Sequence, residues 1–144
     1  MQRSTLAAFV SAAILTVSVG ASADDWPQFR GPNCSGVSAA SRPLPVEFSD
    51  TENVRWSAKL GDGIGSPVVA SGRVFTSGMT DDHTVALVAF DAKSGAKLWT
   101  REWETGELPD IHKTNSQAAT TAAADAERVY FYFSTLGMLC VDAK

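Results

Sequence analysis

The sequence repeats itself, and the spacing of the repetition restricts the folds open to it. LVAFDAK, starting at Leu87, returns 51 residues later as MLCVDAK, starting at Met138. SPVVASGRVFTSG, starting at Ser66, aligns with TAAADAERVYFYF at Thr121, 55 residues on, so that Arg73-Val74-Phe75 falls on Arg128-Val129-Tyr130. Loops absorb the difference, because GMTDDH is longer than TLG. Trp56 lies 43 residues before Trp99 in an equivalent strand-like segment. Periods of about 40 to 50 residues with four short strands per unit mark a β-propeller. A blade of this kind cannot bury both its faces alone, and its neighbours supply the missing surface. The expected fold class is all-β: a partial β-propeller of four-stranded antiparallel blades. The chain would hold the last strand of one unit, a complete second unit and three strands of a third, which is about one and a half to two blades. A β-sandwich with chance internal similarity is the competing reading.

The local pattern agrees. NVRWSAKL, SPVVA, RVFTS, TVALVAFD and AKLWTREW are short apolar or β-branched runs, separated by GDGIG, Ser71-Gly72, GMTDDH and AKSG. Short runs between turn residues, without helical periodicity, read as strands of a meander. GDGIG reads as a flexible loop. Asp91 is placed to accept backbone N–H groups of the turn that follows, and Gly95 supplies the positive φ that closes it. Trp99 returns on the outer strand, where its large side chain covers neighbouring sheet. Asp91, Gly95, Trp99, Trp56 and Asp142 are thus the structural positions of the repeat. AATTAAADAE, Ala118 to Glu127, would be helical on alanine content alone. The repeat instead makes Thr121 to Ala124 an innermost strand and Asp125-Ala126-Glu127 a tight turn.

Three regions precede or carry the repeat. Residues 1–23 have an early Arg3, an apolar stretch from Leu6 to Val19 and a closing Ala21-Ser22-Ala23. That is the pattern of a cleavable signal peptide, and it predicts an exported protein, periplasmic or secreted. The stretch is short for a spanning helix, which needs about 20 apolar residues, so no membrane span is expected after cleavage. An uncleaved anchor is the alternative. Residues 24–52 carry four of the six prolines and read as an irregular N-terminal arm, pinned to a larger body by Trp26, Phe29, Val37, Leu44, Val46 and Phe48. Residues 53–144 are the repeat region, broken off within a blade where MLCVDAK reaches its turn. Fewer than two blades would leave faces and edges bare, so the isolated polypeptide is expected to be unstable or to self-associate.

Charge and cysteines exclude some function classes. Without residues 1–23 the chain has 11 basic and 16 acidic side chains, a net charge of −5. Such a surface does not attract nucleic acid or anionic lipid. Cys34 and Cys140 could pair in an exported protein, but the preferred reading is an exposed loop thiol at Cys34 and a small buried residue at Cys140.

RVFTSG…LVAFDAKSGAKLW resembles the pyrroloquinoline quinone (PQQ)-type propeller repeat, through Val74-Phe75, Leu87, Ala89, Asp91, Ser94-Gly95 and Trp99. DDWPQFRGPNCSGVS, Asp24 to Ser38, and HKTNSQAATT, His112 to Thr121, are similar to segments of exported PQQ-like repeat proteins of planctomycete-type bacteria. The resemblance implies a ring of about seven or eight blades, of which this chain is an N-terminal fragment. In quinoprotein dehydrogenases of this type PQQ lies between a Trp and a vicinal Cys-Cys disulfide, beside calcium. This chain has no Cys-Cys pair.

No catalytic or metal residues stand out. Asp81, Asp82 and Asp110 read as solvated loop tips, and His83 and His112 have no partner at ligand spacing. His112, Asn115 and Ser116, with Gln117, precede an innermost strand, where loops face a channel mouth. They are candidates for ligand contact, against a plainer role in turn hydrogen bonds. The leading expectation is an exported, non-catalytic binding or scaffold module. It would be similar in type to the propeller scaffold of the outer-membrane β-barrel assembly machinery, holding protein partners or further blades, with no cofactor in this part of the chain. The alternative is the opening blades of a PQQ- and calcium-dependent alcohol or sugar dehydrogenase. A third is a fragment with no function of its own.

Overall fold

The computed structural model describes residues 25–39 and 43–144. The expected signal peptide lies outside the described residues. Seven strands follow in chain order: β1 Val68–Ala70, β2 Arg73–Met79, β3 Thr84–Asp91, β4 Lys97–Glu104, β5 Ala123–Ala124, β6 Arg128–Phe133 and β7 Gly137–Asp142. They form two antiparallel meanders, β1-β2-β3-β4 and β5-β6-β7. No α-helix occurs among the described residues. The architecture is a partial β-propeller, one complete blade and three strands of the next. The alanine-rich stretch holds strand β5 and the turn after it, as the repeat requires, because its residues pack between the two sheets.

The repeat is reproduced rung by rung. Arg73 stands opposite Asp91 in the first sheet, and Arg128 opposite Asp142 in the second. In the second sheet the Arg128 guanidinium also donates to the Asp142 carboxylate.

Both faces of β3, in the interior of the first sheet, are buried. Val85, Leu87 and Ala89 of β3 face the second sheet, joining Val68, Phe75, Val129, Phe131 and Phe133 in one core. Ala86, Val88 and Phe90 face the other way, under Trp56 and Val74. Uninterrupted apolar character in TVALVAFD is thus the signature of a strand covered on two sides.

Among the described residues the second sheet is covered on one face only. Tyr130, Tyr132, Met138 and Cys140 alternate with buried positions and are exposed. This corrects the reading of Cys140 as buried. Its counterpart in the first sheet is Ala89, which is fully buried because the second sheet lies on it. Nothing among the described residues lies on Cys140 in the same way. Cys34 is also a free, exposed thiol. Titration of the native protein with an aromatic disulfide reagent is therefore expected to count two fast-reacting thiols per chain. A count of zero would mean the pair is joined.

The segment before β1 differs from its reading in two ways. Residues 53–60 form no strand, and their backbone makes no hydrogen bond to a neighbouring strand among the described residues. GDGIG is tied to neighbouring backbone rather than standing free as a loop. Asp62 exchanges two backbone bonds with Met79, at 3.0 and 2.7 Å, and Ile64 and Gly65 both donate to the Ala118 carbonyl. Ser66 N–H donates to Thr121 Oγ1 at 2.9 Å. The segment is a strap joining the two blades. A Cβ on Gly61 would fall 1.6 Å from the Met79 carbonyl oxygen, and one on Gly65 2.4 Å from that of Thr120. Glycine is required there for close backbone approach.

The N-terminal arm is pinned by its start. Trp26 exchanges backbone bonds with Val69 of β1, both 2.8 Å, and the Pro27 carbonyl accepts Ala124 N–H of β5. The arm thus joins the innermost strands of both blades. The other apolar residues of the arm do not follow: Phe29, Val37, Leu44, Val46 and Phe48 are all exposed, Val46 by 94%. Pro43 and Pro45 have no backbone N–H to offer a strand edge.

Candidate functional site

Loops from both blades meet at one end of the sheets. The β2–β3 hairpin, the β4–β5 crossover and Asp62 of the strap surround an open cleft of about 660 Å³. Asp62, Asp81, Asp82 and Asp110 line it together with Leu108 and Ile111. The crossover is tied to the hairpin by Thr105, whose N–H and Oγ1 both donate to the His83 carbonyl, at 2.8 and 2.9 Å. Asp81 shapes the hairpin, its Oδ1 accepting His83 N–H at 2.8 Å. That bond, then the Thr84 hydroxyl, holds the carboxyl below its ordinary range.

The residues singled out as ligand contacts lie in the crossover, engaged with one another's backbone. His112 is exposed; its Nδ1 shares a hydrogen bond with Thr114 Oγ1 at 2.9 Å, and its carbonyl accepts Asn115 N–H. Asn115 Oδ1 accepts Ser116 N–H at 3.0 Å, and buried Ser116 Oγ accepts Ala118 N–H at 3.1 Å. Gln117 alone of this group lines the cleft, donating to the Pro109 carbonyl at 2.7 Å. Asp62 was missed as a cleft residue because its segment read as a loose loop. The signal was present: glycines at 61, 63 and 65 alternate with period two, as along an extended strand pressed on other backbone.

The repeat positions form a second constellation, between blades. Trp56 Nε1–H donates to the Ala92 carbonyl at 3.1 Å, and its ring lies on Gly95, where a Cβ would come within 2.5 Å. Trp99 Nε1–H donates to the Ala143 carbonyl at 3.3 Å. Ala92 and Ala143 each follow the repeat aspartate, 51 residues apart. Each tryptophan therefore reaches the same point of the following blade. Trp99 also packs on Phe75, with ring centroids 5.8 Å apart, and carries the Arg101 guanidinium at 5.4 Å.

The turn that receives Trp56 is held by Asp91. Its Oδ1 accepts Ser94 Oγ–H, Ser94 N–H and Lys93 N–H at 2.7, 2.8 and 3.1 Å. Gly95 has φ +73°. Ser94, first through its hydroxyl and then through its N–H, lowers the Asp91 carboxyl below the usual carboxylate range. Asp125 does the same work before β6, lowered by the N–H groups of Glu127 and Arg128. Because the folded pKa lies below the unfolded one, the stabilisation is fully present above the unfolded value, near pH 4, and is lost as pH falls through the folded value. An acid titration of thermal stability is expected to fall in that window. Asp91→Asn, which keeps the acceptor oxygen, should flatten part of the fall, and Asp91→Ala should lower stability at neutral pH as well.

Two consecutive blades linked in this way are a repeat with a family of its own. Residues 37–144 match the family model described as outer membrane protein assembly factor BamB. The chain belongs to that PQQ-like repeat family. No curated protein matches the chain. BamB/PQQ-like repeat proteins are typically periplasmic or exported, and no helix among the described residues is long and apolar enough to cross a membrane.

Trp26, Trp56 and Trp99 lie on Gly31, Gly95 and Phe75. Among the described residues no three His, Cys, Asp or Glu side chains gather as a metal-binding group, the cleft aspartates included.

Proposed function

We propose that this chain contributes blades of an exported, non-catalytic propeller that holds protein partners. The observation that carries this reading is that the polar groups of the loops around the cleft are engaged in building the scaffold itself, while Asp62, Asp82 and Asp110 line the opening. Thr105, Ser116 and Asp81 close turns and tie loops, and His112 and Asn115 serve the crossover backbone. What remains facing solvent is an open surface of mixed acidic and apolar character, suited to a segment of another protein. The family description, an assembly factor for outer membrane proteins, supports the same class of role.

The test pairs two titrations of the protein. PQQ with calcium is expected to give no absorbance shift and no dye reduction. A soluble, unfolded outer-membrane β-barrel polypeptide is expected to bind saturably, and Asp82→Lys with Asp110→Lys to weaken that binding. PQQ-dependent dye reduction would overturn the proposal in favour of a quinoprotein dehydrogenase, as would failure of the polypeptide to bind.

A further inference from the structure

The cleft between the β2–β3 hairpin and the β4–β5 crossover combines an apolar wall with carboxylates that the fold itself does not use. Leu108, Pro109 and Ile111 of the crossover form the wall. Leu108 packs down on the core shared by the sheets, while Ile111 is 40% exposed. Asp62 of the strap, Asp82 of the hairpin and Asp110 of the crossover stand around them. None of these three side chains makes a hydrogen bond or ion pair among the described residues. Asp81 differs, because its Oδ1 is engaged by His83 N–H. No lysine or arginine lines the opening.

The walls are fixed before anything binds. Thr105 ties the crossover to the hairpin through the His83 carbonyl, and the two Asp62–Met79 backbone bonds hold the strap. Gln117 holds the Pro109 carbonyl at 2.7 Å. A preformed cleft loses little freedom on binding. Its volume of about 660 Å³ is that of a ligand pocket, enough for a few side chains and too small for a folded domain.

Carboxylates gathered in a cleft focus a negative potential and repel one another, and an incoming cation relieves that repulsion. The acids do not gather as a group that could hold a bare metal ion. Ile111 is covered only by an apolar group. One occupant meets both demands. We infer, resting on the scaffold reading, that the cleft receives an extended segment of a partner protein in which lysine or arginine flanks an aliphatic or aromatic residue. The cation meets Asp62, Asp82 and Asp110, and the apolar side chain lies on Leu108 and Ile111.

The test titrates the chain with two fluorescein-labelled hexapeptides, one alternating lysine with leucine, the other glutamate with leucine. The first is expected to bind saturably and the second not to bind. Asp62→Asn, Asp82→Asn and Asp110→Asn together should weaken the first more than about tenfold without lowering the melting temperature. Glu47→Gln, Asp50→Asn and Glu52→Gln remove the same charge from the arm and should weaken it less than about twofold. Ile111→Ser should remove the binding that survives about 0.5 M salt, where charge attraction is screened. Equal losses in the two triple variants, equal binding of the two peptides, or no effect of Ile111→Ser would overturn the proposal. An unfolded outer-membrane β-barrel polypeptide that binds the chain and ignores the three cleft substitutions would overturn it and leave the scaffold reading standing. Binding of neither peptide nor polypeptide would overturn both.

Discussion

Trp99→Ala is expected to lower the stability of the chain by about 3 kcal/mol, the low end of the cost of truncating a large aromatic in a core. Two losses combine. The indole leaves Phe75 and the seam between the sheets, and the Ala143 carbonyl loses its donor across that seam. Trp99→Phe separates them: it keeps most of the packing and removes the N–H, and should cost about 1 kcal/mol for the hydrogen bond. Denaturant unfolding at one fixed chain concentration reads both values. A Trp99→Ala loss below that of Trp99→Phe would show that the indole does not fasten the blades.

Gly61→Ala has the second large effect, and for a different reason. The new methyl would sit 1.6 Å from the Met79 carbonyl oxygen and 2.4 Å from its carbon, both main-chain atoms in a central strand. Neither can rotate away, so the strap must lift, breaking the pair of Asp62–Met79 bonds and disturbing those from Ile64 and Gly65 to Ala118. Overpacking of this kind together with two lost hydrogen bonds is expected to cost about 3 kcal/mol. Gly72→Ala is the control. Its φ of +75° penalises a side chain, but nothing lies within 4 Å of the added Cβ, and the expected cost is about 1 kcal/mol. Equal losses at the two positions would mean that conformation, not contact, explains Gly61.

Much of the blade was legible because its chemistry is local and repeated. Strand β3 ends where TVALVAFD ends, and the turn after it follows from Asp91, Ser94 and Gly95 acting within four residues. The alanine-rich stretch was legible only through the repeat, since its own propensity points to helix while its burial between two sheets decides for strand. What stayed hidden depends on partners distant in sequence. Cys140 is exposed because no sheet among the described residues lies on it, which no property of MLCVDAK reveals. The strap looked loose because glycine signals both freedom and close approach, and only Met79, Ala118 and Thr120 distinguish the two. In the candidate site, His112, Asn115 and Ser116 were visible as a polar group before a strand. Their orientation into turn hydrogen bonds was not, because it rests on backbone donors that composition does not show.

The central claim is that the two blades are one structure, sharing a core and fastened by Trp99 and the strap. Site-resolved amide hydrogen exchange tests it most directly. Amides of β3 and β6 are predicted to open with one common free energy, and Trp99→Ala is predicted to lower both by the same amount. Exchange of β6 at a much lower free energy than β3, with β3 unmoved by Trp99→Ala, would contradict it.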